Sequence, residues 1–152
     1  MHLTDVLRAD CVVAEISGRT VTSVLAELAR ILAQAHRIDP QRAAEALQAR
    51  ERLGSTGVGD GVAVPHGKMA GLPRLVAAFG RCREGIDFRS IDGKPTFLVV
   101  ALLAPERGGA EHLQALARVS RLLKRPAFRQ ALLDAPDAAA IHRLIAEEDR
   151  QL

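Results

Sequence analysis

The residue of this sequence that is best placed for chemistry is His66, which stands between Pro65 and Gly67. The proline fixes the backbone before the histidine, and the glycine leaves room after it. A neutral imidazole is abundant near neutral pH and is nucleophilic, so it can attack a phosphorus atom without a separate base. A structural histidine whose ring hydrogen-bonds to a carbonyl group is the alternative interpretation. The local sequence leaves both interpretations open.

A glycine-rich segment precedes this histidine. Residues 54–61 (GSTGVGDG) hold four glycines in eight positions, which excludes a regular helix and predicts a loop rich in free N–H groups that favour an anion. The loop reads GxGxG where the dinucleotide fingerprint needs GxGxxG, and the stretch from Gly61 to Lys68 is one residue too long for a P-loop. Ser55 is not part of a GxSxG elbow. Nucleotide binding and serine hydrolysis are therefore not supported.

Arg50 and His112 are further candidates for an anion site. A predicted helix ends at Gly54, so Arg50 lies in its last turn, where the guanidinium can reach phosphate oxygens or simply stabilise the helix dipole. His112 falls in the first turn of another predicted helix, after Gly108 and Gly109, where free N–H groups attract negative charge. A histidine without any role in the first turn of a helix is the alternative for His112.

The elements that must position these residues follow from hydrophobic periodicity and boundary signals. The predicted strands are 11–16, 62–64, 75–80 and 96–103, and the predicted helices are 20–36, 40–53, 110–124, 126–133 and 138–148. Pro65 should end the second strand, which places His66 at a strand end. This order predicts an α/β fold with a mixed β-sheet of about four or five strands flanked by helices on both faces.

The composition indicates one compact domain, residues 1–152, with 48% hydrophobic residues. The longest apolar run, residues 97–104, has eight residues, far fewer than the roughly 20 needed to cross a bilayer. The N-terminal residues do not have the pattern of a signal peptide. Cys11 and Cys82 are isolated thiols without CxxC spacing. These features predict a soluble cytoplasmic protein without membrane insertion.

Charge and aromatic content do not favour nucleic-acid binding. The net charge is only +3, and the four aromatic residues are all phenylalanine, which leaves no tyrosine or tryptophan as a stacking platform. The densest basic stretch, residues 118–129, has helical periodicity. It is interpreted as a solvated face or as a docking surface for an acidic protein.

Residues 50–68 (RERLGSTGVGDGVAVPHGK) resemble the active-site signature of the mannitol/fructose-type IIA proteins of the bacterial phosphotransferase system, and especially of the nitrogen-regulatory IIA proteins. The similarity includes the Arg-Glu pair, the glycine loop and the PHG sequence. It continues in GIDF (residues 85–88), in the turn at Asp92, in the apolar strand and in HLxxLA (residues 112–117). The resemblance covers nearly the whole chain.

The resemblance implies that His66 accepts a phosphoryl group from a small histidine-containing phosphocarrier protein. It also implies that Arg50 and His112 help to form the phosphate site, in a fold that agrees with the predicted order of elements. The loop residues predicted to support the phosphate are Ser55, Thr56, Gly57 and Gly59. Neither a cofactor nor a metal ion is expected.

Three functions stay open at this point. The first is a regulator whose phosphorylation state is read by a downstream protein, and the absence of a fused IIB or membrane segment favours it. The second is a sugar-specific IIA component that passes phosphate to a IIB partner for fructose or mannitol uptake. The third is a metal or small-ligand module built from His66, His112 and a carboxylate such as Glu111 or Asp60, although no HxH or HExxH spacing supports it.

Overall fold

The computed structural model describes residues 1–107 and 109–152, and Gly108, one of the glycines predicted to precede the third helix, lies outside them. Within these ranges a 3₁₀ turn at Leu3–Asp5 is followed by six strands and five α-helices. They are β1 (Leu7–Val13), α1 (Val21–His36), α2 (Pro40–Arg52), β2 (Gly57–Gly59), β3 (Val62–Ala63), β4 (His66–Met69), β5 (Val76–Ile86), β6 (Thr96–Pro105), α3 (Gly109–Leu123), α4 (Pro126–Asp134) and α5 (Ala138–Arg150). None of the described helices is long and apolar enough to cross a membrane.

The strands form one mixed sheet in the order β1-β5-β6-β3-β2, and β4 also pairs with β6. β5 and β6 are antiparallel, whereas β3 and β4 both run parallel to β6. The chain stays beside β6 between β3 and β4, because the carbonyl of Pro65 accepts a hydrogen bond of 2.9 Å from the amide of Leu102. His66 is then in register with Leu102. The candidate histidine is therefore held by the sheet itself.

Helices cover both faces of the sheet. Gly80 of β5 faces α1, since a Cβ atom added to it would lie 3.2 Å from Leu28. The preceding residue, Phe79, points to the other face and lies beside Val119 of α3 and Ile145 of α5. Nearly all residues of β6 are buried, as expected for a central strand whose sequence is apolar on both faces. The predicted α/β class with a mixed, helix-flanked sheet is confirmed.

The sheet has six strands where the sequence suggested four or five, because two short strands flank the second predicted strand. Asp60 and Gly61 both have positive φ values, 57° and 77°, and connect β2 to the antiparallel β3. Two consecutive residues with positive φ make the tight hairpin turn for which Asp-Gly is a preferred sequence. The predicted glycine loop thus contains a hairpin. On its other side the chain continues beyond Pro65 as β4, so His66 begins a strand.

The first strand also begins earlier than predicted, at Leu7. It lies at an edge of the sheet, and its exposed residues Arg8 and Asp10 form an ion pair of 2.8 Å. A register irregularity between Leu7 and Val12 interrupts the alternation of buried and exposed residues. Charged residues and a bulge together hide the start of an edge strand from pattern analysis.

Candidate functional site

A depression of about 600 Å³ lies between α2, β4 and the start of α3. Each of these elements contributes one of the predicted residues: α2 contributes Arg50, β4 contributes His66, and α3 contributes His112. The wall around them is largely apolar and includes Ala46, Ala49, Leu53, Leu113 and Leu116. A few polar groups that converge on an apolar surface are typical of a ligand or partner site.

The close approach of β4 to α2 explains the glycine that follows the histidine. A Cβ atom on Gly67 would lie 2.6 Å from the carbonyl oxygen of Ala46 in α2. Any other residue would therefore push the strand and the helix apart. Gly67 allows the two elements to present His66 and Arg50 to the same depression.

The ring of His66 is half-buried, and its orientation is set by its own chain. Nδ1 lies 2.8 Å from the carbonyl oxygen of Val64. Because a carbonyl oxygen only accepts hydrogen bonds, this contact assigns the proton of the neutral ring to Nδ1 and leaves the lone pair on Nε2. The two interpretations of this histidine are therefore compatible, since a bond to a carbonyl prepares the other nitrogen to act as a nucleophile.

His112 meets His66 with its ring nearly perpendicular, at an angle of 79° and a centroid distance of 5.4 Å. Burial lowers the pKa of His112 below its ordinary value of 6.5, and the charges of His66 and Lys68 lower it further. The Nε2 atom of His112 is buried and has no hydrogen-bond partner among the described residues. Because such an atom is costly to leave unpaired, it is well suited to bind a polar group that enters the depression.

Arg50 is half-buried at the end of α2. Its Nη1 atom donates a hydrogen bond of 2.9 Å to the carbonyl of Gly54, which steadies the side chain. This bond uses only part of the guanidinium fork. The other N–H groups can bind oxygens of an anion held between the two histidines.

The four loop residues are absent from the lining of this depression, as far as the described residues show. The amide and hydroxyl of Thr56 donate hydrogen bonds of 3.0 and 2.5 Å to the carboxylate of Glu51. The hydroxyl of Ser55 donates to the carbonyl of Phe88 and accepts a bond of 3.0 Å from the amide of Gly57. The amides of Thr56 and Gly57 are therefore already bonded within the protein, and a direct contribution of the loop to a phosphate site stays a prediction.

The two glycines of this set belong to β2 and pack against the turn that precedes β6. A Cβ atom on Gly57 would collide with the hydroxyl of Ser90, and Gly59 has a φ of 92° with Asp92 close by. Both positions require glycine for the conformation and packing of the hairpin. The structure thus brings together His66, Arg50 and His112, and it gives the glycine loop an architectural position behind them.

Sequence reasoning missed Lys68 and the two leucines at the rim. Lys68 lies two residues after His66 in β4 and lines the same depression, which the alternation of side chains along a strand would have indicated. Leu53 and Leu113 are 85% and 69% exposed. Large exposed apolar side chains beside a polar site are typical of interaction surfaces. Their contact with the site depends on how α2 and α3 pack, which local sequence patterns do not specify.

The metal-site alternative has no support in the described part of the chain. Within it, no three histidine, cysteine, aspartate or glutamate side chains form a group that could hold a metal ion. Neither Asp60 nor Glu111 lines the depression with His66 and His112.

The fold and the site together define a class of protein: an α/β domain with a mixed, helix-flanked sheet that presents two histidines and an arginine in one depression. Residues 5–148 match the family model described as "Phosphoenolpyruvate-dependent sugar phosphotransferase system, EIIA 2". The chain therefore belongs to this family, and the resemblance found in its signature is confirmed.

Similar proteins include nitrogen regulatory proteins and a fructose-specific component of the phosphotransferase system. The chain is 40% identical over 146 residues to a nitrogen regulatory protein of Bradyrhizobium diazoefficiens, covering 96% of this chain and 95% of the relative. It is 36% identical over 151 residues to the fructose-specific EIIABC component of Bacillus subtilis, covering 99% of this chain but 24% of that protein. The crystal structure of nitrogen regulatory protein IIA-Ntr from Neisseria meningitidis superimposes with a TM-score of 0.88 at 31% identity, covering 94% of this chain and 98% of that one.

Proposed function

We propose that His66 accepts a phosphoryl group from the phosphohistidine of a small phosphocarrier protein, and that the phosphorylation state of this protein regulates a downstream partner. The observation that carries the proposal is the arrangement of His66, whose Nδ1 is bonded to a carbonyl while the ring borders the depression. Family membership supports phosphoryl transfer as the chemistry.

In the proposed reaction, the Nε2 lone pair of His66 attacks phosphorus in line with the bond to the donor. The new N–P bond forms as the N–P bond to the donor imidazole breaks, and the donor ring, protonated on its other nitrogen, leaves as a neutral imidazole. The proton on Nδ1 of His66 stays on that nitrogen and keeps its hydrogen bond to the carbonyl of Val64. Positioning and charge stabilisation thus supply the catalysis, as is general for phosphoryl transfer.

The other polar groups of the depression stabilise the charge of the transferred group in this proposal. Arg50 and Lys68 provide positive charge, and Nε2 of His112 provides a buried hydrogen-bonding atom without another partner. The exposed leucines at the rim, Leu53 and Leu113, offer apolar contacts to the donor protein.

The regulatory role is supported by similarity to a nitrogen regulatory protein along 95% of that relative. A second candidate function is transfer of the phosphoryl group to a IIB partner, because a fructose-specific EIIABC component is 36% identical. Transfer of label to a purified fructose IIB domain, coupled to sugar phosphorylation, would support the second function. Label that stays on this protein in the presence of IIB would support the regulatory one.

The test of the proposed acceptor is labelling with phosphoenolpyruvate and the general phosphotransfer proteins. The wild-type chain should acquire acid-labile, base-stable phosphate, whereas His66→Ala should acquire none. His142→Ala is the matched control, because His142 lies outside the depression and contacts the carbonyl of Leu7. Equal labelling of His66→Ala and the wild type would show that another residue is the acceptor.

A further inference from the structure

A series of hydrogen bonds connects the end of α2 to the imidazole of His66. The carboxylate of Glu51 accepts hydrogen bonds of 3.0 and 2.5 Å from the amide and the hydroxyl of Thr56. The carbonyl of Thr56 accepts a hydrogen bond of 3.0 Å from the amide of Val64. The carbonyl of Val64 in turn accepts a hydrogen bond of 2.8 Å from Nδ1 of His66. Hydrogen bonds therefore connect Glu51, Thr56, Val64 and His66 one after another. The last of these bonds determines which ring nitrogen of the histidine carries the proton.

Thr56 and Val64 are joined by one backbone hydrogen bond instead of two. It continues the ladder of β2 and β3, in which Gly57 pairs with Ala63. In a regular antiparallel ladder, every second pair of opposed residues exchanges two hydrogen bonds, and the bond from Val64 to Thr56 places these two residues at such a position. Here only the bond from the Val64 amide to the Thr56 carbonyl forms, because the Thr56 amide donates to Glu51 instead. The carbonyl of Val64 is thereby left for His66.

The surroundings protect these links from water. Thr56 is 4% exposed and Val64 is 5% exposed. Pro65 lacks an N–H group and favours an extended conformation at Val64, so the backbone between the carbonyl and the histidine has little freedom. A competing donor for the Val64 carbonyl is the Thr56 amide itself, and Glu51 holds that amide away.

We propose that Glu51 and Thr56 are positioning residues for the phosphoryl-transfer site. Glu51 withdraws the Thr56 amide from the ladder, and Thr56 fixes the Val64 peptide, so that the Val64 carbonyl holds the proton on Nδ1 of His66 and Nε2 keeps its lone pair. The proposal rests on the proposed role of His66 as phosphoryl acceptor. The proton position itself can nevertheless be measured without any phosphoryl transfer.

Three variants separate the links. Glu51→Met removes both carboxylate contacts while keeping a long side chain that suits a helix. Thr56→Val removes only the hydroxyl contact, and Thr56→Ser restores a hydroxyl. The matched control is Thr96→Val, which removes a buried hydroxyl whose partner is Ser90, apart from the series.

The first measurement is the nitrogen NMR shifts of His66 in ¹⁵N-histidine-labelled protein, at a pH where the ring is neutral. We expect the wild type, Thr56→Ser and Thr96→Val to carry the proton on Nδ1. Glu51→Met should show a larger population with the proton on Nε2, and Thr56→Val a smaller increase. A purely structural role would lower the melting temperature without moving the proton.

The second measurement is the rate of labelling from the phosphorylated donor. We expect Glu51→Met to lower kcat by roughly tenfold or more, as removal of residues that orient a ligating histidine does in metal sites. The KM for the donor should stay the same, because Glu51 and Thr56 do not line the depression. Thr56→Ser should recover most of the rate that Thr56→Val loses.

Two results would overturn the proposal. One is an unchanged Nδ1 proton and unchanged kcat in both Glu51→Met and Thr56→Val. The other is an equal change in Thr96→Val, which would reveal a general loss of packing. If Glu51→Met does not fold, Glu51→Gln and the threonine series decide between the same outcomes. A wild type that keeps the Nδ1 proton but accepts no phosphate would contradict the proposed function and leave the positioning roles intact.

Discussion

Burial and two neighbouring charged groups all lower the pKa of His112. Burial is the largest influence on its pKa, and the charges of His66 and Lys68 add to it. All three disfavour the protonated ring, so a neutral His112 faces His66. A phosphoryl group on His66 would bring negative charge to the same place and would therefore raise the pKa of His112.

The contribution of Lys68 can be isolated by a single substitution. Lys68→Met removes the positive charge and keeps an unbranched side chain, so the pKa of His112 should rise. It should still stay below 6.5, because burial, the larger cause, is unchanged. An NMR titration of the His112 ring protons measures this.

Lys94→Met is the control for that titration, since Lys94 lies in the turn before β6 and is not among the causes of the shift. A pKa of His112 that moves as much in Lys94→Met as in Lys68→Met would mean that net charge, and not the local lysine, is responsible.

At the scale of elements, the spacing between β4 and α2 depends on Gly67. Gly67→Ala would place a methyl group 2.6 Å from the carbonyl oxygen of Ala46, so the strand and the helix must separate. We expect the free energy of unfolding to fall by about 1–3 kcal/mol, the usual cost of overpacking. Urea unfolding followed by circular dichroism measures the loss.

A change from glycine to alanine at Gly109, in the first turn of α3, should instead raise the free energy of unfolding. A Cβ atom there meets nothing within 4 Å, and alanine is the better helix former by about 0.5–1 kcal/mol. The packing argument fails if Gly67→Ala is as stable as Gly109→Ala.

The sequence predicted the long elements and the three residues that meet in the depression, but it did not predict the short strands that hold them. Apolar patterns identified α1 and β6 because each buries a long stripe or run, whereas boundary signals at Asp39, Pro40 and Gly54 identified α2. β2 has only three residues, so its pairing depends on the Asp60-Gly61 turn and not on an apolar pattern. The link from Glu51 to Thr56 was also invisible, because it depends on how the end of α2 meets the hairpin.

At the scale of the whole molecule, one buried carboxylate joins the first and last parts of the described chain. Asp149 in α5 is fully buried, and its carboxylate accepts a hydrogen bond of 2.6 Å from the amide of Leu3. Arg118 of α3 donates its Nε to the Asp149 carboxylate at 2.5 Å and its Nη2 to the Asp149 carbonyl at 2.7 Å. Beside its apolar packing, the helix that carries His112 is thus bonded to α5 and to the N-terminal segment through the carboxylate of Asp149.

Removal of the arginine should therefore destabilise the entire fold. Arg118→Met leaves the Asp149 carboxylate buried without its charge partner, and breaking such a pair costs about 3 kcal/mol or more. Urea unfolding should show this loss. Amide hydrogen exchange at Leu3 should also accelerate, because the Asp149 carboxylate that accepts its hydrogen bond is no longer held by Arg118.

Arg121→Met is the control, because it changes an exposed position of the same helix, and it should change the free energy of unfolding by about 0.5 kcal/mol at most. Because two apolar residues need no charge compensation, Arg118→Met combined with Asp149→Leu should recover part of the stability. Equal stability of the two arginine variants would mean that apolar packing alone holds α3 in place.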